Sequence, residues 1–407
     1  MNEYSLAKVQ ENKIGINMIT NVSIKNYKSV VDVNLPLGRF NLLIGANGCG
    51  KSNILEGIAL GTAASSGKLD FEFFSNRGIR LVEPKLMLPA FEEVKANMIN
   101  ISFINEKEES FTFNIHYNSD SKPPKWEDDS ISFQQFLSYV REELKEEPHL
   151  SKLLQLVGRM EKDKGADTAV NIRLRKNEEG GITIMPPDIE LNQFLIYSLE
   201  ETKLREPNIS NRLYPLGRHG EGLFAYLKDL SQKPEGKVVF NEIKENLKVL
   251  DWFDDMQVPS GQLSMEFNLK LKDSYLAETI NTFDQRSTNE GFLYLLFYLT
   301  LVISDETPKF FAIENIDTAF NPKLCREVTR RLIELARKHD KQIIATTHNA
   351  AVLDGMNLFE DDVRLHIVRR SIDGYTKSNR VTLKSEMSMP LSEAWVKGFI
   401  GGLPDNF

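Results

Sequence analysis

The residues with the clearest chemical purpose lie in GANGCGKS, residues 45–52, which fits the pattern G-x-x-x-x-G-K-[ST]. Glycines in such a loop let backbone N–H groups converge on phosphate oxygens, and the dipole of the following helix adds favourable charge. We expect Lys51 to reach the β- and γ-phosphates and the Ser52 hydroxyl to bind Mg²⁺. The sequence therefore predicts a nucleotide site whose contacts come from Gly45, Asn47, Gly48, Cys49, Gly50, Lys51, Ser52 and Asn53.

A second chemical signal is FFAIENIDTAFNPKL, residues 310–324, in which four apolar residues lead into Glu314, Asn315 and Asp317. A strand that ends in a carboxylate can place negative charge beside the phosphate loop, where Mg²⁺ needs partners. The amide of Asn315 can orient water but cannot act as a general base. Asp317 can reach that water if the strand has already ended; the other interpretation is a loop residue or a helix N-cap.

The elements that must position these residues follow from hydrophobic periodicity. The strand FNLLIG leads into the glycine loop, and the strands FFAIEN and KQIIATTH flank the helical segment PKLCREVTRRLIELARKH. Strands that alternate with helices predict an α/β fold with a largely parallel sheet. The alternation in residues 98–119 predicts a β-hairpin with a polar turn near Lys107.

Charged, helix-favouring sequence separates the two blocks that carry the chemistry. It suggests two amphipathic helices broken at Pro148, within an insertion that serves as a lid, an arm or a partner surface, or as an extra layer of core. The predicted organisation is a leader at 1–17, an N-terminal lobe at 18–119, a mainly helical insertion at 120–213, a C-terminal lobe at 214–370 and a tail at 371–407. The apolar residues of the tail predict docking either on the chain's own head or on a partner.

Composition limits the class of protein. The 407 residues are 41% hydrophobic and 27% charged, as in an ordinary globular protein, and the formal net charge of −8 argues against a broad electrostatic grip on nucleic acid. The net charge still allows a local basic groove that binds DNA. The longest apolar stretch, Phe292 to Ile303, is too short to span a bilayer, so we expect a buried helix and no membrane partner. Two distant cysteines and no secretory signal predict a cytoplasmic protein.

The segment ITNVSIKNYKSVVDVNLPLGRFNLLIGANGCGKSNILEGIA resembles the start of an ABC-class ATPase head of the RecF, SMC and OLD type. In that group a strand and a KNYKS-like turn come before the P-loop and are separated from it by a short hairpin. The resemblance covers roughly 18–115 and 214–370, and within the group it most resembles short ATPases of bacterial anti-phage defence operons. It implies a P-loop NTPase fold of ABC type, with an N-terminal β-hairpin subdomain and a helical insertion, and it implies ATP with Mg²⁺ as ligands.

The resemblance also implies roles for particular residues. The family's acidic strand ends in Asp-Glu or Glu-Glu, so Glu314 stands at the metal position and Asn315 at the position of the base, which predicts slow hydrolysis. In RSTNEGFLYLLFY, alignment on Gly291 puts Asn289 at the Ser of the signature motif, which caps the γ-phosphate of the opposite subunit. The alternative is a plain N-capped helix. His348, after an apolar strand, resembles the switch histidine that contacts the γ-phosphate.

Partners follow from the same resemblance. Two chains would sandwich two nucleotides head to tail, which implies an ATP-dependent homodimer or higher oligomer that controls a separate effector protein, such as a nuclease. One alternative is a non-hydrolysing, nucleotide-gated scaffold or sensor, which Asn315 favours. The other is an SMC-like DNA-repair ATPase, which the acidic net charge disfavours.

Overall fold

The structure is a computed structural model, and it describes residues 18–129, 140, 155, 173–176, 182–185, 191, 193–206, 215–258, 269–277, 282–383 and 388–402. The predicted leader lies outside these ranges. The two amphipathic helices predicted around Pro148 also lie outside them, apart from two isolated positions.

The strands of the described ranges are numbered in chain order. They are β1 (Ile19–Tyr27), β2 (Val30–Pro36), β3 (Phe40–Ile44), β4 (Met98–Asn105), β5 (Ser110–Asn118), β6 (Lys125–Asp128), β7 (Arg173–Lys176), β8 (Ile182–Met185), β9 (Ile196–Tyr197), β10 (Phe253–Gln257), β11 (Lys270–Asp273), β12 (Thr282–Asp284), β13 (Phe310–Ile313), β14 (Gln342–Thr346), β15 (Val363–Arg370) and β16 (Thr376–Val381).

The helices are numbered in the same way. They are α1 (Lys51–Ser65), α2 (Phe71–Arg77), α3 (Pro84–Met87), α4 (Glu201–Arg205), α5 (Leu223–Gln232), α6 (Pro234–Leu247), α7 (Glu290–Ile303), α8 (Pro322–Lys338) and α9 (Leu391–Val396), with a 3₁₀ helix at Ala350–Gly355.

The sheet that carries the candidate site has the strand order β16-β15-β3-β14-β13-β9. All neighbouring strands from β15 to β9 run parallel, and β16 joins β15 antiparallel at one edge. Every residue of β3, β13 and β14 is buried, as expected for parallel strands that are covered on both faces. The predicted α/β fold with a largely parallel sheet is confirmed.

A second sheet is antiparallel, with the order β2-β1-β4-β5-β6. β1 and β2 form the hairpin before the phosphate loop, with Tyr27 opposite Val30 and Lys28 in the turn at a φ of 49°. β4 and β5 form the hairpin predicted at residues 98–119, and residues 106–109 join them. The predicted hairpin subdomain is therefore part of a five-stranded sheet.

Helix α1 packs closely against this antiparallel sheet. A Cβ on Gly61 would lie 2.6 Å from Cγ2 of Ile101, and a Cβ on Gly57 would lie 3.0 Å from Cδ1 of Ile24. Both glycines thus allow a helix–sheet approach that an alanine would obstruct. Because β3 feeds directly into α1, this packing holds the loop between them in place.

The other side of the parallel sheet is covered mainly by two helices of different character. Helix α7 contains the longest apolar stretch, and its residues from Phe292 to Ile303 are all buried, which confirms the predicted core helix. Helix α8 is amphipathic and begins with a side-chain cap, since Oδ1 of Asn321 accepts from the Leu324 N–H at 3.0 Å. Pro322 occupies its first helical position, where a missing N–H costs nothing.

Two regions outside the predicted lobes contribute to the head. Strand β9, within 120–213, extends the parallel sheet, with Ile196 opposite Ala312 of β13. In the tail, β16 completes the opposite edge, and α9 buries Ala394 and Trp395 while the Ser392 hydroxyl bonds Asp354 at 2.7 Å. No helix in the described ranges is long and apolar enough to cross a membrane.

Candidate nucleotide site

The loop between β3 and α1 has the backbone geometry of a phosphate cradle. Gly45, Gly48 and Gly50 have φ angles of 151°, 74° and 108°, in the region that favours glycine. A Cβ on Gly45 would lie 2.0 Å from the Val368 carbonyl oxygen, and one on Gly50 would lie 2.0 Å from Oγ1 of Thr376. No side chain caps the N-terminus of α1, so its first N–H groups point to where an anion can bind.

Lys51 spans the loop from the first turn of α1. Its Nζ donates to the carbonyl oxygens of Gly45 at 2.8 Å and Ala46 at 3.2 Å, and it lies 3.9 Å from the Cys49 sulfur. Burial lowers the pKa of Lys51, with Cys49 and Glu314 acting in the opposite direction. The ammonium group is thus held over the loop by neutral acceptors that an anionic phosphate can replace.

Ser52 and Glu314, the two residues predicted to bind Mg²⁺, are brought together. The Ser52 hydroxyl donates to Oε1 of Glu314, which follows the end of β13. The Glu314 N–H donates to the Tyr197 carbonyl at 2.8 Å, so strand β9 holds the acidic residue from the side opposite β14. A hydroxyl and a carboxylate at this position supply the hard oxygen donors that Mg²⁺ prefers.

Asn315, the next residue, has a φ of 51°, a left-handed conformation that asparagine adopts more readily than most residues. Its N–H donates to Oγ1 of Thr346 at 2.9 Å, and its carbonyl accepts from the Thr318 hydroxyl at 2.8 Å. The chain therefore turns sharply at Asn315, directly after Glu314.

Asp317 lies beyond the end of β13, which meets the condition under which it was predicted to reach water. Its Oδ1 accepts from the Thr347 hydroxyl at 2.6 Å, and α8 is capped by Asn321 instead. His348 follows Thr347; burial and the positive charge of Lys51 lower its pKa, with Asp317 opposing them. Asp317 and His348 thus lie near the ends of β13 and β14, and the lowered pKa of His348 favours its neutral imidazole.

The signature-like residues lie at the start of α7. Oδ1 of Asn289 accepts from the Phe292 N–H at 2.8 Å and caps the helix, while the side chain of Asn289 is exposed. A Cβ on Gly291 would lie 2.9 Å from the Ala319 carbonyl oxygen, so this helix end sits against the loop that contains Asp317. The cap is the alternative interpretation of this motif, and it leaves the Asn289 amide nitrogen unused by the helix.

A buried carboxylate that sequence reasoning missed lies behind the loop. Glu56 of α1 is 1% exposed, and it accepts from the Tyr27 hydroxyl at 3.0 Å, from Lys28 and from Nε of Arg80. Nη2 of Arg80 also donates to Oδ1 of Asn53 at 2.9 Å. The available signal was a single acid within the apolar run NILEGIALG.

Lys28, Asn53 and Arg80 border a cavity of about 380 Å³ beside α1. Its polar lining comes from the hairpin turn, α1 and Arg80, and its apolar lining comes from the segment around α3. The lining residues are Lys28, Ser29, Asn53, Arg80, Val82, Leu86, Leu88, Ala90, Phe91 and Arg370. Arg80 lines the cavity, whereas the nearby Arg77 is buried and donates to the Phe194 carbonyl.

Thr376 of the predicted tail and Arg370, at the end of the predicted C-terminal lobe, hold the loop in place. Oγ1 of Thr376 bonds the Ser29 hydroxyl at 2.7 Å and donates to the Cys49 carbonyl at 3.0 Å. Nε of Arg370 donates to the Gly48 carbonyl at 3.0 Å. Cys49 itself is 3% exposed, so its thiol faces the protein interior.

A parallel sheet whose central strand feeds a glycine loop, with an acidic residue two strands away, defines the P-loop ATPase head. A family profile described as "AAA domain" matches residues 21–286, and the chain belongs to that family. A second profile, described as "AAA domain, putative AbiEii toxin, Type IV TA system", matches residues 262–354. The resemblance to a P-loop head of the ABC and SMC type is confirmed.

Among solved structures, the SmcHead bound to the C-winged helix domain of ScpA matches at 16% identity and a TM-score of 0.51, over 91% of this chain and 100% of that chain. The SMC head domain from Thermotoga maritima matches at 12% identity and a TM-score of 0.46, over 90% and 100%. The first likeness shows that the chain has the fold of an SMC head. A comparison with curated proteins finds no match.

Proposed function

We propose that this chain binds ATP with Mg²⁺, dimerises head to head around it, hydrolyses it slowly, and thereby controls a separate effector protein. The observation that carries the proposal is the hydrogen bond between Ser52 and Glu314, because it unites the phosphate loop with the acidic strand. This arrangement puts a helix N-terminus, an ammonium group and a carboxylate around one point.

Binding would use the groups that surround the loop. The backbone N–H groups of residues 48–52 would donate hydrogen bonds to phosphate oxygens. The Lys51 ammonium would leave its carbonyl acceptors and donate to the β- and γ-phosphates. The 380 Å³ cavity beside α1 would take the nucleoside, with Phe91 on its apolar side and Arg80 on its polar side. The site would thus hold a nucleoside triphosphate at both ends.

The chemistry would depend on positioning more than on proton transfer. Ser52 and Glu314 would hold Mg²⁺, which when bound neutralises charge on the phosphate oxygens. The Asn315 amide would orient the attacking water without taking its proton. Asp317, beyond the end of β13 and hydrogen-bonded to Thr347, would be the nearby carboxylate that can accept it, and neutral His348 would contact the γ-phosphate.

Dimerisation is supported by the place of the signature-like residues. Asn289 is exposed at the N-terminus of α7, which lies against the loop of its own chain through Gly291 and Ala319. A helix N-terminus with an exposed amide is suited to a γ-phosphate presented by a second copy.

Sedimentation velocity in ATP and ADP, each with Mg²⁺, tests dimerisation. ATP is expected to produce a dimer that ADP does not. Asn289→Asp keeps the helix cap but places negative charge against the phosphate, so it should abolish the ATP-dependent dimer, whereas Asn289→Ser should keep it. A dimer that forms equally with all three side chains would contradict the proposed sandwich.

The anti-phage role rests on the resemblance of the sequence to short ATPases of bacterial anti-phage defence operons, and the comparisons support a separate effector. The second family profile is described as a putative AbiEii toxin of a type IV system, and the matched SmcHead is bound to a domain of another protein. We expect the product of a neighbouring gene to bind this chain differently in ATP and in ADP, as measured by pull-down with purified proteins. Equal recovery in both nucleotides would contradict control by the nucleotide.

A scaffold that binds ATP without hydrolysing it is the second candidate, and Asn315 is the observation that favours it. Single-turnover hydrolysis separates the two functions. Measurable product formation by the wild type supports the ATPase, whereas tight ATP binding without product supports the scaffold.

A further inference from the structure

The edge of the parallel sheet that carries the nucleotide site continues past Glu314 to Arg218. The Glu314 N–H donates to the Tyr197 carbonyl at 2.8 Å, and the N–H of Ser198, the next residue, donates to the Arg218 carbonyl at 2.9 Å. These two backbone bonds form a row from β13 through the end of β9 to Arg218. The backbone of Arg218 therefore lies at the same end of the sheet as Glu314.

The side chain of Arg218 extends toward α2. Nη1 donates to the Ser75 carbonyl at 3.2 Å, and Nη2 lies 3.3 Å from the position of a Cβ on Gly78. Gly78 ends α2 in a left-handed conformation, and two residues later Arg80 reaches Glu56 and Asn53. The Arg218 side chain thus lies beside the turn that leads from α2 to Arg80.

The guanidinium of Arg218 has more donors than acceptors. A guanidinium presents five N–H donors, and within the described part of the chain the side chain makes a single hydrogen bond, to Ser75. Nε is buried and has no hydrogen-bond partner among the described residues. Arg80, by contrast, is bonded to both Glu56 and Asn53.

The electrostatic surroundings of Arg218 are acidic. Burial lowers the pKa of Arg218, and the negative charges of Glu314, Glu221, Glu200 and Glu56 oppose that effect. Arg218 therefore lies within the field of the carboxylate that Ser52 bonds and of the carboxylate that holds Arg80. A partly desolvated cation with unused donors is arranged to bind an anion.

We propose that Arg218 contacts the terminal phosphate of the bound nucleotide from the Glu314 side of the site. This inference rests on the proposed ATP binding and adds a positive charge that neither the glycine loop nor Lys51 supplies. The guanidinium would leave the long bond to Ser75 and donate to phosphate oxygens that are present in ATP and absent in ADP. Arg218 is then a residue that distinguishes the triphosphate from the diphosphate.

The ratio of ATP affinity to ADP affinity tests the inference, measured by calorimetry with Mg²⁺ and the non-hydrolysed analogue ATPγS. Arg218→Gln is expected to weaken ATPγS binding by about 10–100-fold and to change ADP binding by less than about 3-fold, because only the former has the phosphate that the charge contacts. Arg218→Lys keeps the charge without the planar donors, so its affinity for ATPγS should lie between those of the wild type and of Arg218→Gln.

Arg330→Gln is the matched control, because Arg330 lies on the exposed face of α8 and pairs with Glu327 and Glu334. It should leave both affinities unchanged. Thermal unfolding of each variant shows whether it folds, and if Arg218→Gln does not fold, a loss of ATPγS preference in Arg218→Lys carries the inference.

Failure of the proposed ATP binding and failure of the proposed role of Arg218 give different results. A wild type that binds neither nucleotide overturns the proposed function itself. A wild type that prefers ATPγS, together with Arg218 variants of unchanged preference, overturns only the role of Arg218. Equal weakening of both nucleotides would also overturn it, because that result assigns Arg218 to the structure of the site.

Discussion

The Ser52 hydroxyl donates a hydrogen bond to Oε1 of Glu314, across 262 positions of sequence. This bond joins the first turn of α1 to the end of β13. In the sheet, β14 lies between β13 and β3, the strand that precedes α1. Its partners are the two groups expected to hold Mg²⁺, so the bond marks where the metal and the terminal phosphates would lie.

Replacing Glu314 tests this arrangement. Glu314→Gln keeps the acceptor for Ser52 but removes the charge, so the gain in ATP affinity on adding Mg²⁺ should fall about 10–100-fold. Calorimetry in Mg²⁺ and in EDTA measures that gain. Glu334→Gln, on the exposed face of α8, is the control and should leave the gain unchanged. A full Mg²⁺ effect in Glu314→Gln would remove Glu314 from the metal site.

Asn315 allows a gain-of-function test. Asn315→Glu supplies a carboxylate at the expected position of the base, and turnover should rise by about 10²–10⁴-fold. Because Asn315 has a φ of 51°, the substitution should also lower the free energy of unfolding by about 1 kcal/mol. Asn315→Gln carries the same backbone strain without the basicity, so it should destabilise equally and leave turnover low. Equal acceleration by both variants would show that the gain is not general-base catalysis.

Asp317 is the carboxylate that the wild type offers. Asp317→Asn keeps an acceptor for the Thr347 hydroxyl and removes the basic group, so single-turnover hydrolysis should slow by about 10²-fold or more while ATP affinity stays within a few-fold. Thr347→Val removes the hydrogen bond and keeps the carboxylate, and it should retain most of the activity. If only the Thr347 variant loses activity, Asp317 serves to orient His348 and not to accept the proton.

The local elements could be predicted from the sequence because their signals are local. The strands β3, β13 and β14 are continuous apolar runs, and the glycine loop needs positive φ angles at fixed spacing. The same is true of α7, whose apolar residues are too few for a membrane span and therefore form core. The alternation in β4 and β5 likewise predicted their hairpin.

The long-range parts of the site could not be predicted in this way. Strand β9 is two residues long and is held by pairing with β13, so its own sequence carries little periodicity. Thr376 contacts the loop through strand pairing from the tail, and a backbone bond from the Ser198 N–H places the Arg218 carbonyl at the same end of the sheet as Glu314. Such contacts depend on tertiary packing, for which a single sequence gives no pattern.

His366 gives a prediction for stability against pH. It lies in β15 beside β3 and is fully buried, and burial, followed by the charges of Arg364 and Arg380, lowers its pKa from 6.5 to about 4. Between these two values the unfolded chain binds a proton that the folded chain does not, so the contribution of His366 is present above pH 6.5 and is lost as pH falls toward 4. The loss is on the order of 3 kcal/mol.

Urea unfolding of the wild type and of His366→Gln at pH 8 and at pH 4.5 measures this loss of stability. The difference in free energy between the two proteins should shift in favour of the variant at the lower pH, because glutamine takes up no proton. A difference that is the same at both values would mean that His366 titrates alike in the folded and unfolded chains.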